Sequence, residues 1–249
     1  MSGHSKWAQI KRQKGVADAR RGQLFTKLAR EIGVAVREGG PDPQSNFKLR
    51  LVVQKAKDSN LPLENIERAI RRASGGTDGT ALAEVNYEGY GPGGSAILIH
   101  VLTDNKNRTI SEVRNILSRG GGNLGESGCV TWLFDARGVI VIDATNVNDE
   151  EVALFAIDAG ADDVKVEGNT LEVYTQPQDL EAVRRALESK KIAISSSELS
   201  MVPKTLVKLD EKSALQALKL MDKLEELDEV QRVYTNADFP DEVLAKYQG

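Results

Sequence analysis

At 249 residues, with 40% apolar and 28% charged side chains, the chain has the composition of a globular protein with room for two or three domains. Its single cysteine, Cys129, excludes an intrachain disulfide and a cysteine-rich zinc site, and no run of about eighteen apolar residues marks a membrane span, so a reducing cytoplasm is expected and no membrane partner. The net charge of −4 combines two opposed parts: residues 1–75 hold 16 Lys and Arg against 7 Asp and Glu, a net of +9, and the remainder holds 17 against 30, a net of −13. Such asymmetry points to a polyanion-binding end.

The opening stretch is one-sided. Lys6, Lys11, Arg12, Lys14, Arg20, Arg21, Lys27 and Arg30 face only Asp18 as an acid before Glu31. Residues 1–15 carry neither a helical nor an alternating apolar pattern, as expected of a basic arm that settles onto nucleic acid. Trp7 can stack on a base or anchor the arm to the protein's own core. Lys11, Arg12 and Lys14 are best explained by phosphates.

From Ala17 to Glu38 apolar residues recur at helical spacing through Leu24, Phe25, Leu28, Ile32 and Val36, with Arg20, Lys27, Arg30 and Arg37 on the opposite arc. A second helix is predicted over 46–57 and a third after Pro62, the latter exposing Arg68, Arg71 and Arg72. Together they make a small basic bundle over residues 1–75.

After a glycine linker, two strands are predicted around Tyr87-Glu88-Gly89-Tyr90-Gly91-Pro92-Gly93-Gly94, the second running from Ala96 to Leu102. Tyr87 and Tyr90 are candidate secondary contacts for a nucleotide, or members of a packing cluster. A helix over 107–119 displays Arg108, another candidate contact. The glycine-rich segment 120–128 runs from helix into a predicted strand, 129–134, which is the reverse of a phosphate loop and lacks its Gly-Lys-Ser/Thr ending, so a structural turn is favoured. Residues 139–203 read as βαββαβ, a ferredoxin-like arrangement whose acidic side chains would repel phosphate. The tail reads as strand 205–209, helix 213–227 and strand 230–234, which can rejoin the sheet begun at Val85.

Catalysis has few candidates. His4 and His100 lack metal-ligand spacing, and Cys129, beside Val130 and Trp132, reads as a buried thiol. Asp104 and Glu126 are candidate paired carboxylates for a metal-dependent nuclease, a minor alternative.

The blocks Gly3-His4-Ser5-Lys6-Trp7, Asp18-Ala19-Arg20-Arg21-Gly22, Asn65-Ile66-Glu67-Arg68-Ala69-Ile70, Tyr87 to Gly94, Asp104-Asn105-Lys106-Asn107-Arg108-Thr109 and Gly121-Gly122-Asn123-Leu124-Gly125 together resemble the YebC family along essentially the whole chain. The resemblance implies an α+β protein: a helical domain, 1–75, then two α/β (ferredoxin-like) domains, 76–134 with 204–249 and an inserted acidic 135–203. It also implies a non-enzymatic regulator of gene expression that binds DNA. The alternative is a translation factor on ribosomal RNA, as for the family's mitochondrial translational activator of cytochrome c oxidase subunit I. No cofactor or metal is implied. The acidic domains would face the ribosome or another protein. Cys129 stands where serine is expected in many relatives.

Overall fold

The computed structural model describes residues 18–75, 82–145 and 147–247, except for the side chains of residues 18–20 and 167. It divides into two compact units, Asp135–Val202 and the residues on either side of that segment.

The larger unit begins with three helices, α1 (Asp18–Gly39), α2 (Phe47–Asp58) and α3 (Leu63–Ser74). The helical spacing read from sequence becomes a shared core in which Leu28, Ile32, Leu49, Ala56 and Ile66 are buried. Asn46 fixes the α1–α2 corner. Its Oδ1 accepts the backbone N–H of Leu49 at 2.9 Å as the N-cap of α2, while its Nδ2 donates to Ala35 O at 2.7 Å and Gly40 O at 2.8 Å. Those two carbonyls belong to the last turn of α1 and the residue after it, so one buried amide satisfies both ends of the connection.

Next comes a sheet with strand order β3-β1-β2-β9, formed by β1 (Ala83–Tyr90), β2 (Ala96–Thr103), β3 (Asn123–Leu124) and β9 (Val230–Thr235). β1 and β2 are an antiparallel hairpin with Tyr87 opposite Ile99, turning through Pro92–Gly94, where Gly93 and Gly94 take φ of 68° and 76°. β9 pairs antiparallel with β2 after some 130 intervening residues, so the chain leaves this sheet and returns to it. Helices α4 (Lys106–Arg119) and α7 (Glu211–Glu225) close one face over a core containing Tyr87, Ile99, Leu117, Met221 and Val233.

The other unit runs β4 (Phe134–Asp143), α5 (Asp149–Asp158), β5 (Asp163–Glu167), β6 (Thr170–Thr175), α6 (Leu180–Ser189) and β7 (Ile194–Pro203). Its sheet order β5-β6-β4-β7 is that of the ferredoxin-like split βαβ. Asp149, Glu150 and Glu151 occupy the first turn of α5, where they complement the helix dipole.

Two expectations change, and one element is new. The predicted strand 129–134 is a turn followed by a 3₁₀ turn at Thr131–Leu133, and strand begins only at Phe134. Backbone N–H groups that a ladder would need are taken by Glu88. The predicted strand 205–209 does not join the sheet: it shortens to β8 (Val207–Lys208), which pairs in parallel with β10 (Ala237–Asp238). A final helix, α8 (Asp241–Lys246), had no expectation, and it contributes Val243 to the core. Among the described residues no helix is long and apolar enough to cross a membrane.

Candidate nucleic-acid interface

Arg68, Arg71 and Arg72 lie exposed on α3, whose opposite face buries Ile66 against α1 and α2. Arg68 reaches Glu64 at 3.3 Å and Arg71 reaches Glu67 at 3.5 Å, both one turn earlier on the same helix. Exposed pairs of this kind contribute only about 0.3–0.5 kcal/mol, so a phosphate can displace the carboxylate with little loss. Arg21 is exposed near the start of α1. Lys6, Trp7, Lys11, Arg12, Lys14 and the Arg20 side chain lie outside the described residues.

Lys27 and Gln23 of α1 face the sheet-bearing part of the same unit. The Lys27 ammonium donates to Glu225 O, and Gln23 Nε2 donates to Glu226 O. Both carbonyls sit at the C-terminus of α7, where backbone acceptors lack intrahelical partners and the dipole is negative. Lys27 thus caps a helix. Arg30 is half-buried, with Nη1 enclosed and without a hydrogen-bond partner among the described residues.

Charge pairs continue this contact. Lys55 meets both oxygens of Glu31 at 2.7 and 2.8 Å, and Lys48 bridges Glu38 and Glu84, each at 2.9 Å. Burial would raise the Glu31 carboxyl, but Lys55 and Arg232 outweigh it and hold the group below the ordinary glutamate range. His100, which lacks metal-ligand spacing in the sequence, has Nδ1 3.0 Å from Asn86 Oδ1 and Nε2 3.6 Å from Glu84. Its pKa lies below the usual value: desolvation pushes it down more than Glu84 and Glu31 pull it up.

The glycine-rich segments meet around Glu88. This buried carboxylate accepts the N–H of Gly128 through Oε1 at 2.7 Å, and those of Val130 and Thr131 through Oε2 at 2.7 and 2.8 Å. Burial opposes its ionisation, yet the three donors keep it below the usual range. A Cβ on Gly122 would fall 2.4 Å from Tyr90 O and one on Gly89 2.5 Å from Asn123 O, so these glycines admit β3 against β1. The segment is a structural turn built on an internal anion.

The remaining candidates separate. Tyr87 is buried and its hydroxyl donates to Lys106 O at 3.1 Å, which makes it a packing residue. Tyr90 is 37% exposed and donates to Cys129 O. Arg108 is held by Asp104 and Glu229, both at 2.8 Å, which also neutralises the Asp104 carboxylate. No His, Cys, Asp and Glu grouping among the described residues has the makings of a metal site. Cys129 is partly exposed, and burial followed by the Glu88 charge pushes its thiol pKa up, away from reactivity. Trp132, expected beside a buried thiol, is 66% exposed. Neither Glu88 nor Trp132 stood out in the sequence as a site residue. A glutamate at an alternating strand position reads as solvent-facing, and the donors it serves lie about forty residues away.

Residues 5–76 match the family model for the TACO1/YebC protein N-terminal domain, and residues 82–237 match that for the TACO1/YebC second and third domain. A probable transcriptional regulatory protein of Dehalococcoides mccartyi is 56% identical over 247 residues, covering 99% of this chain and 98% of the relative. One from Chloroflexus aurantiacus is 54% identical over 250 residues, covering 99% of each. The crystal structure of a conserved hypothetical protein from Aquifex aeolicus superposes with a TM-score of 0.82 at 46% identity, covering 90% of this chain and 92% of that one. With the two models together matching residues 5–76 and 82–237, and relatives this similar along their whole length, the chain belongs to the TACO1/YebC family.

Proposed function

We propose that the chain is a non-enzymatic, cytoplasmic regulator of gene expression that binds DNA through its basic first quarter, Lys6, Lys11, Arg12 and Lys14 gripping phosphates from the arm, Arg20 and Arg21 from α1, and Arg68, Arg71 and Arg72 from α3. The single observation that carries this reading is the division of charge, +9 over residues 1–75 and −13 over the rest. The exposure of the α3 arginines supports it, two of them, Arg68 and Arg71, being held by same-helix carboxylates that a phosphate can replace. The name that the relatives carry, probable transcriptional regulatory protein, agrees with a role in regulation. The acidic unit 135–202 would stay clear of the phosphate backbone and serve a protein partner.

The test is crosslinking in cells followed by sequencing of bound DNA and bound RNA, with purified protein titrated against the recovered fragments. Promoter fragments are expected, with affinity falling about a thousandfold or more between 50 and 200 mM salt if about six to ten phosphates are neutralised. Recovery of ribosomal RNA in place of promoter DNA would overturn the DNA assignment and turn the same phosphate grip toward translation. Binding that ignores salt would remove the grip itself.

A further inference from the structure

One backbone carbonyl anchors two exposed aromatic side chains. The Tyr90 hydroxyl donates to Cys129 O at 3.2 Å and the Trp132 indole N–H donates to the same oxygen at 3.0 Å, yet Tyr90 is 37% and Trp132 66% exposed. With their polar tips already paired, the rings offer a partner mainly their aromatic surfaces. The turn beneath them is fixed from inside: Glu88 holds the N–H groups of Gly128, Val130 and Thr131, and Gly125 N donates to Glu88 O at 2.8 Å. Lys204 brings a cation to the same turn, its Nζ donating to Trp132 O at 3.0 Å. Aromatic rings held by their tips, one at the end of β1 and one on a hydrogen-bonded turn, with an ammonium group on that turn's backbone, match the needs of a base and its phosphate.

We propose that Tyr90 and Trp132 are a stacking platform for an unpaired nucleobase of a single-stranded nucleic acid, with Lys204 serving the adjoining phosphate. Every base has a π-face, so such a platform is tolerant of sequence but needs a base that is not already stacked in a duplex. The inference rests on the nucleic-acid reading above. It adds a contact outside the basic quarter and a requirement for unpaired bases.

The full chain, labelled with 5-fluorotryptophan, is titrated with single-stranded RNA of about 12 nucleotides, the DNA strand of the same sequence, and a hairpin-capped duplex. The Trp132 resonance is assigned by its loss in Trp132→Phe. Single strands are expected to shift it and the duplex is not. Trp132→Ala should weaken single-strand binding roughly ten- to a hundredfold and leave duplex binding unchanged, Trp132→Phe should restore most of the loss, and Tyr90→Leu should weaken it in the same direction. Tighter binding of either the RNA or the DNA strand identifies the source and sustains the platform. An unmoved Trp132 resonance with unchanged affinity in Trp132→Ala overturns it while leaving the basic quarter's role intact. If Arg71→Gln and Arg72→Gln bind normally and Trp132→Ala does not, the platform stands and the role of α3 falls. If no oligonucleotide binds the wild type, both readings fall together.

Discussion

The Glu88 carboxylate and the backbone N–H of Val130 meet at 2.7 Å across 42 positions of sequence, and this contact decides what residues 128–131 become. With Gly128, Val130 and Thr131 all donating to one buried side chain, the segment turns and β4 starts later, at Phe134. Glu88→Gln replaces one acceptor oxygen by a donor that faces backbone N–H groups. It should destabilise the protein by about 2–3 kcal/mol at pH 7, measured by urea unfolding. The folded pKa is depressed, so the stabilisation is complete above the unfolded value of about 4.3 and is lost as pH falls through the folded value. The gap between wild type and Glu88→Gln should therefore narrow below about pH 4. An equal gap at pH 7 and pH 3 would show that the carboxylate's charge is not what holds the turn.

Much of this fold was legible because the signals are local. The spacing of Leu28, Ile32 and Val36 places a helix and its buried face, Gly93 and Gly94 mark the hairpin turn, and the βαββαβ order of 139–203 follows from alternating periods. What escaped depends on partners far along the chain. A six-residue run from Cys129 to Phe134 rich in β-formers satisfies strand propensity, but Glu88 removes the donors a strand would use. Trp132 looks like a core residue by hydrophobicity and is exposed because a 3₁₀ turn points it outward. The site was legible as charge and not as geometry: Lys27 and Arg72 are equally basic in sequence, and only the fold separates a helix cap from an exposed cation.

That separation gives a paired prediction. Lys27→Met removes the donor to Glu225 O at the end of α7 and should lower stability by about 1 kcal/mol. Arg72→Gln should leave stability within about 0.5 kcal/mol, weaken nucleic-acid binding and reduce the slope of log affinity against log salt by about 1. Urea unfolding and fluorescence anisotropy at several salt concentrations read the two effects. A salt slope lowered by Lys27→Met and untouched by Arg72→Gln would reverse the assignment.

Asn46 makes a second structural prediction. Asn46→Ala removes the N-cap of α2 and the amide donors to the carbonyls of Ala35 and Gly40, for a loss of about 2–4 kcal/mol. Asn46→Asp keeps the cap to Leu49 but sets an anion against those carbonyls, so it should recover little. Gly39→Ala should also destabilise, because its Cβ would lie 2.7 Å from the Asn46 side chain. Thermal unfolding of the three variants is the measurement, and a recovery by Asn46→Asp to near wild type would show that the Nδ2 donors are unimportant.

His100 links the same region to pH. It faces Asn86 and Glu84 from β1, Glu31 and Lys48 from the helices, and Arg232 from β9. Its folded pKa is depressed chiefly by burial, so the unfolded chain binds the proton first as pH falls from the unfolded value of about 6.5. Stability contributed by the neutral imidazole is thus present above that value and declines as pH drops toward the folded pKa. The midpoint of urea unfolding should fall between about pH 7 and pH 5 in the wild type. His100→Gln, which can still bond Asn86, should flatten the fall while leaving the midpoint at pH 7.5 nearly unchanged. Retention of the full slope in His100→Gln would move the pH dependence to other groups and leave the imidazole a packing residue between the helices and the sheet.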